Sequence, residues 1–180
     1  MADASTTKVF TIGLASLKAG APDNTNGTMP ASGLAQHGYV YCDTLEMTTE
    51  DPTTEEYYEE ETDLPVASMP EAGKTTLIFE ILRPSVADLV FWAGGEADSA
   101  TGLTWKAPVG YVDKKLAIEI TSKQGYKIEI PKAQIVASPT GGGAKSTPMR
   151  LKVTATVLVP TTSGGTNMSP IQYTAPTPAA

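Results

Sequence analysis

Apolar residues recur with a period of two along most of this chain, and with helical spacing in one place. Thr75 to Leu82 is the clearest case: Leu77, Phe79 and Ile81 alternate with Thr76, Ile78 and Glu80, which predicts a core strand. Met149 to Val159 predicts a longer strand, with Leu151, Val153, Ala155, Val157 and Val159 set against Lys152, Thr154 and Thr156. Between these two, Lys115 to Thr121 and Tyr126 to Ile130 alternate on either side of Ser122-Lys123-Gln124-Gly125, whose glycine suits a hairpin turn. Leu116, Ile118 and Ile120 should face one way, as should Tyr126, Ile128 and Ile130. Pro131 should end the pairing, with Lys132 to Ala137 a possible extension of the sheet and Ser138 to Pro148 a loop. Lys8 to Leu14 and Gly38 to Met47 read as two further strands near the start.

The helical exception follows Leu82 directly. Arg83-Pro84-Ser85 stops the strand, and Ser85 with Asp88 three residues on makes a capping-box start. Gly94-Gly95 closes the segment, because glycine takes the left-handed conformation of a helix end. A helix over about residues 85–93 is predicted, with Val86, Leu89, Val90 and Phe91 toward the core.

Stretches without periodicity separate these elements. Residues 19–37 are rich in Gly, Pro, Asn and Ser and read as a loop, and residues 43–71 as a long extended arm inserted in the fold. From Pro160 onward the Thr, Ser, Gly, Pro and Ala content predicts a flexible tail at 161–180, in which Ile171 and Tyr173 could dock on a neighbour. The chain thus divides into one β-rich domain, 1–160, and that tail. Its 16 glycines and 14 prolines among 180 residues exclude long helices, and 41% hydrophobic content is enough for a core.

Charge changes the picture by its distribution. Residues 1–71 carry 13 acids and two lysines, a balance of -11, whereas 72–180 carry seven acids and 11 bases, a balance of +4. Asp43, Glu46, Glu50, Asp51, Glu55, Glu56, Glu59, Glu60, Glu61 and Asp63 follow one another with no base between. Such a run repels itself and needs water or a positive partner. It can be a solvated loop, a contact with the basic half of a neighbouring copy, or the lining of a channel to which nucleic acid does not stick. The eight residues Glu50, Asp51, Glu55, Glu56, Glu59, Glu60, Glu61 and Asp63 are the candidate inter-subunit or lumen-facing site. The scattered bases and negative net charge are wrong for holding phosphate.

Catalytic and cofactor patterns fail on mechanism. Ser68 to Thr75 approaches a phosphate-binding loop but lacks its leading glycine and runs into a strand; Gly141 to Ser146 lacks the glycine before lysine. His37 is the sole histidine and no nucleophile sits in an elbow motif. Cys42, the sole cysteine, excludes an intrachain disulfide and a multi-cysteine metal site and reads as a small semi-buried side chain. The acids are crowded in one polar run rather than set in a pocket that raises a pKa, and the run lacks a calcium-loop pattern. No enzyme, cofactor or metal is expected. No stretch reaches the roughly 18 apolar residues of a membrane helix, and Met1 to Phe10 lacks a secretion-signal pattern, so a soluble cytoplasmic product is expected.

The passage Leu77-Ile78-Phe79-Glu80-Ile81-Leu82-Arg83-Pro84-Ser85-Val86-Ala87-Asp88-Leu89, and then Gly125-Tyr126-Lys127-Ile128-Glu129-Ile130-Pro131-Lys132-Ala133-Gln134-Ile135, resemble the strand-to-helix passage and the late hairpin of the major tail tube proteins of long-tailed phages and related injection systems. The similarity covers residues 38–160 in order of elements. It implies a β-sandwich or barrel flanked by one helix, assembled into rings, usually of six, that stack into a tube for the genome. It also implies a virion (tail) location after assembly in the bacterial cytoplasm. Its partners would be copies of itself, other tail proteins (tape measure, terminator, baseplate or tip) and DNA as unread cargo, with no membrane. The insertion at 19–37 and the glutamates at 55–61 depart from the family pattern. The alternative expectation is a virion decoration or adhesion-type β-sandwich module; a small carbohydrate hydrolase is the remaining one.

Overall fold

The computed structural model describes residues 12–61, 63–142 and 147–176. In chain order its elements are β1 (Leu14–Gly20), β2 (Tyr39–Val40), β3 (Glu46–Thr49), β4 (Thr53–Tyr57), β5 (Ala67–Glu71), β6 (Thr75–Leu82), α1 (Val86–Ala93), β7 (Glu96–Ala97), β8 (Trp105–Lys106), β9 (Lys114–Ser122), β10 (Lys127–Thr140), β11 (Arg150–Val157) and β12 (Gln172–Thr174). The fold is mainly β with one helix, as the sequence predicts. Eight strands make one antiparallel sheet that curls into a nearly closed barrel, in the order β1-β9-β10-β11-β6-β2, with β3 also on β6 and β12 also on β10.

Alternation fixes which face points inward. Leu77, Phe79 and Ile81 of β6 lie beside Ala155, Val153 and Leu151 of β11, and all six are buried. Ile130, Ala133 and Ile135 of β10, Leu116, Ile118 and Ile120 of β9, and Leu17 and Ala19 of β1 continue this interior around the curl. β10 does not end at Pro131: its ladder on β9 shifts register between Ile130 and Ala133 and continues to Ile135, and its ladder on β11 carries the strand on to Thr140, so that Ser138–Thr140 is strand rather than loop. A proline has no N–H to donate, and a bulge is where a strand tolerates that loss.

Two other expectations are corrected. Gly38 to Met47 is not one strand but two short ones, both on β6, separated by Asp43 in the left-handed region (φ 59°); there the Thr44 hydroxyl accepts the Glu80 N–H at 3.1 Å. Of the expected tail, residues 172–174 add β12 to β10 through Ile128 and Tyr173, and Thr161 bridges Asn167. β11 covers β10 only from Ala133 onward, which leaves the edge at Lys127–Glu129 open to β12. The expected opening strand at 8–14 falls for Lys8 to Thr11 outside the described residues; the observed strand starts at Leu14.

The helix forms where its signals stand. Ser85 accepts the Asp88 N–H at 3.2 Å while the Asp88 carboxylate accepts the Ser85 N–H at 2.9 Å, and the Gly94 N–H reaches the Val90 carbonyl at 3.1 Å. Its buried pair is Leu89 and Trp92, three residues apart on one face, while Val86, Val90 and Phe91 are half-buried. Trp92, 1% exposed, meets the Phe79 ring edge-on at 5.4 Å and donates its indole N–H to the His37 carbonyl at 2.9 Å. The helix has no base in its last turn, so Lys114 of β9 donates to the Val90 carbonyl at 3.2 Å from across the fold. Trp92→Ala removes the ring and orphans the His37 carbonyl; a loss of about 3–5 kcal/mol is expected in urea unfolding. A loss below about 1 kcal/mol would show that the helix does not seal the core.

Candidate functional site: an acidic arm

The β3–β6 ladder does not stop at the edge of the body. Glu50 donates its N–H to the Lys74 carbonyl at 3.0 Å, and β4 and β5 then pair from Thr53 opposite Glu71 to Tyr57 opposite Ala67. Residues 53–71 therefore form a hairpin arm whose strands make their substantial contacts only with each other. At its base the chains come close: a Cβ on Gly73 would stand 1.7 Å from the Glu50 carbonyl oxygen, so no other residue fits there without backbone movement.

The sequence Thr53-Thr54-Glu55-Glu56-Tyr57-Tyr58 repeats each residue type, and strand alternation deals one of each to either face. Both faces thus carry the same Thr-Glu-Tyr series, and neither is a core face. Tyr57 donates its hydroxyl to Glu55 at 2.9 Å and Tyr58 donates to Glu56 at 2.6 Å. The Glu56 carboxylate holds the Tyr58 phenol proton and pushes that group above its usual range. All residues of β4 and β5 are exposed, including Met69 at 61%, and Tyr58 beyond the strand is 58% exposed.

The structure places the eight candidate carboxylates on this one feature. Glu50 and Asp51 stand at its base, Glu55 and Glu56 on β4, and Glu59, Glu60, Glu61 and Asp63 around its turn, all exposed. They do not converge: among the described residues no three acid, histidine or cysteine side chains are grouped as a metal set. Nor does any ion pair among the described residues involve an arm carboxylate; the four pairs present join bases to Glu80, Asp113 and Glu119 of the body. The arm is a projecting concentration of negative charge, with tyrosine, methionine and valine side chains interleaved. The charge was legible in the sequence. The tyrosines among the carboxylates have their signal in the doubled Thr-Glu-Tyr series, whereas the role of Gly73 depends on its approach to Glu50 and has no local signal.

The first of the two rejected phosphate-loop patterns lies on strands. Ser68 to Glu71 is in β5 and Thr75 opens β6, with no helix between; Gly143 to Ser146 falls outside the described residues. His37 is a loop residue, its ring stacked on Phe91 at 3.4 Å, and burial lowers its pKa against a smaller opposing effect of Asp88. Cys42 is exposed, not semi-buried. No protein-family model matches the sequence, and no curated protein matches it.

Because only glycine fits at residue 73, Gly73→Ala is expected to free the arm from its base without unfolding the body. Cleavage by a glutamate-specific protease at Glu59–Glu61 should then rise severalfold while the thermal transition of the body changes little; an unchanged cleavage rate would show that the close approach does not hold the arm.

Proposed function

We propose that this protein is a structural subunit that assembles with copies of itself into stacked rings, forming the hollow tube of a phage-type tail through which DNA passes. The observation that carries this reading is the arm: a two-stranded hairpin, exposed on both faces and charged with one sign, whose carboxylates form no ion pair with the body among the described residues. An isolated hairpin of this kind is marginal in water, so a segment built this way gains from a surface on another molecule. The opposite charge is at hand on the same chain. Lys106, Lys123 and Lys152 stand exposed on the body, and none has an ion-pair partner among the described residues. An arm laid on the body of a neighbouring copy would join the two halves of the chain's uneven charge and fix their register. Apolar side chains among the carboxylates would add burial to the contact.

The rest of the fold supports the same reading. A barrel-like sheet with exposed strand edges is a liability for a monomer and a resource for a ring-former. Negative charge facing a bore would repel the DNA backbone and keep the cargo moving. The other tail proteins, at the ends of the tube and within it, would then be the remaining partners, and the virion tail the location.

Negative-stain electron microscopy of purified protein across concentration and salt is the test. Rings or hollow tubes are expected; monomers at every condition would overturn self-assembly and favour a decoration module on the virion. The triple substitution Glu59→Lys, Glu60→Lys, Glu61→Lys is expected to abolish stacking while leaving the circular dichroism spectrum unchanged, since all three side chains are exposed. Tubes formed as readily by this variant would exclude the arm from the contact.

A further inference from the structure

Among the described residues the nearly closed barrel has one unpaired seam. β1 bonds β9 along one edge, and β2 bonds β6, yet β1 and β2, the two ends of the sheet order, are not paired with each other there. A single bridge closes part of this seam: Ala19 and Ala35 exchange N–H···O bonds of 2.8 and 3.0 Å. In an antiparallel strand the residues that bond to one side alternate. The N–H and C=O of Leu17 therefore point to the same edge as those of Ala19, and no backbone partner among the described residues meets them there. In place of a strand there is an open cavity of about 580 Å³ between β1 and the 38–43 segment. Its apolar lining comes from Leu14, Leu17, Val40, Leu45 and Ile120, and its rim carries Asp43 and Lys123.

We propose that this seam is a slot for strand addition, filled by the N-terminal segment Thr6–Thr11 of a second copy of the chain. Exposed edges take up extended peptides in this way, with main-chain bonds giving affinity and pockets for alternate side chains giving selectivity. The slot beside Leu14–Leu17 takes roughly four residues at about 3.3 Å each. Thr6-Thr7-Lys8-Val9-Phe10-Thr11 is rich in β-branched and aromatic residues and contains no Gly, Pro, Asn or Asp. Lys8 is its only charge, and Asp43 waits on the rim. The segment is steered to another molecule by how its own chain leaves the barrel. Gly13 accepts the Lys123 N–H at 3.1 Å and Ile12 donates to the Gln124 side chain at 3.0 Å, so residues 12 and 13 run on past the β9–β10 turn instead of doubling back into the slot. A return would require a reversal within Thr6–Ile12, which holds no turn-forming residue.

The inference shares with the tube reading only the premise that copies meet, and the slot carries its own reporter. Cys42 lines the cavity and is exposed. Val9→Cys and Phe10→Cys, made singly, point to opposite faces of the segment, so one of them faces Cys42 in either register. Mild oxidation with oxidised glutathione is expected to give reducible dimers and higher species on a non-reducing gel with one of the two, and none when Cys42→Ser is added. A faster-migrating monomer would mean that the chain fills its own slot, and no disulfide from either variant would remove the segment from the seam; either result overturns the proposal. In a variant lacking residues 2–11, a synthetic peptide spanning Ser5–Ile12 is expected to slow alkylation of Cys42 severalfold, and an unchanged rate would again overturn it. Microscopy of the same samples reads tubes separately, so the seam contact and the tube can fail independently.

Discussion

A strand with alternating side chains can slip only by two residues without turning its core face to water, and β6 is held to that rule on both edges at once. β11 fixes Phe79 opposite Val153 on one side, while β2 and β3 fix Ile81 and Leu77 on the other. A slip on either side would expose Leu77, Phe79 and Ile81 together. With β6 locked, Arg83 turns the chain in the left-handed region (φ 50°), Ser85 starts the helix, and Trp92 is carried back over Phe79. The position of the helix, and with it the indole bond that ties down the His37 carbonyl, follows from the register of one strand.

The same constraint delivers the arm. β3 and β6 enter the outer hairpin as a paired ladder, so the direction in which β4 and β5 project is set inside the body, at Thr49 opposite Thr75. The two threonine hydroxyls are 3.0 Å apart at this exit, and Gly73 lets the chains stay close one step beyond it. The charge the arm displays is therefore presented in a direction set by a paired base, although every residue of β4 and β5 is exposed.

What could be read from the sequence was whatever a local pattern determines. Leu77, Phe79 and Ile81 show one buried face, Ser85 and Asp88 a helix start, and Gly94 its end; each appears in the structure at the expected residue. What could not be read depends on pairing between distant segments. Pro131 looks like a strand end until pairing with β9 shows that it sits in a bulge of β10. Gln172–Thr174 has the composition of a tail and becomes a strand because β11 leaves that stretch of β10 uncovered. Trp92 does not stand out in the sequence because Leu89, Val90 and Phe91 also fit a core stripe, and only the Phe79 and His37 partners decide between them. For the candidate site the sequence supplied the carboxylates, while the hairpin that gathers them was set by β3 and β6.

An arm of one charge sign constrains how copies of this chain can meet. Two such arms repel, so an isologous contact in which arm faces arm is disfavoured, and the arm's favourable partner is a different, basic surface. The proposed seam has the same asymmetry, because the donor segment and the slot are different parts of the chain. Contacts between unlike surfaces are head-to-tail, and repeating one generates a closed ring or an open filament rather than a two-fold dimer. Two independent head-to-tail contacts on one subunit can do both, one closing the ring and the other propagating the stack. The proposed tube would need that combination, and the separation of charge along the chain and the unpaired seam of a nearly closed sheet are the two features that would supply it.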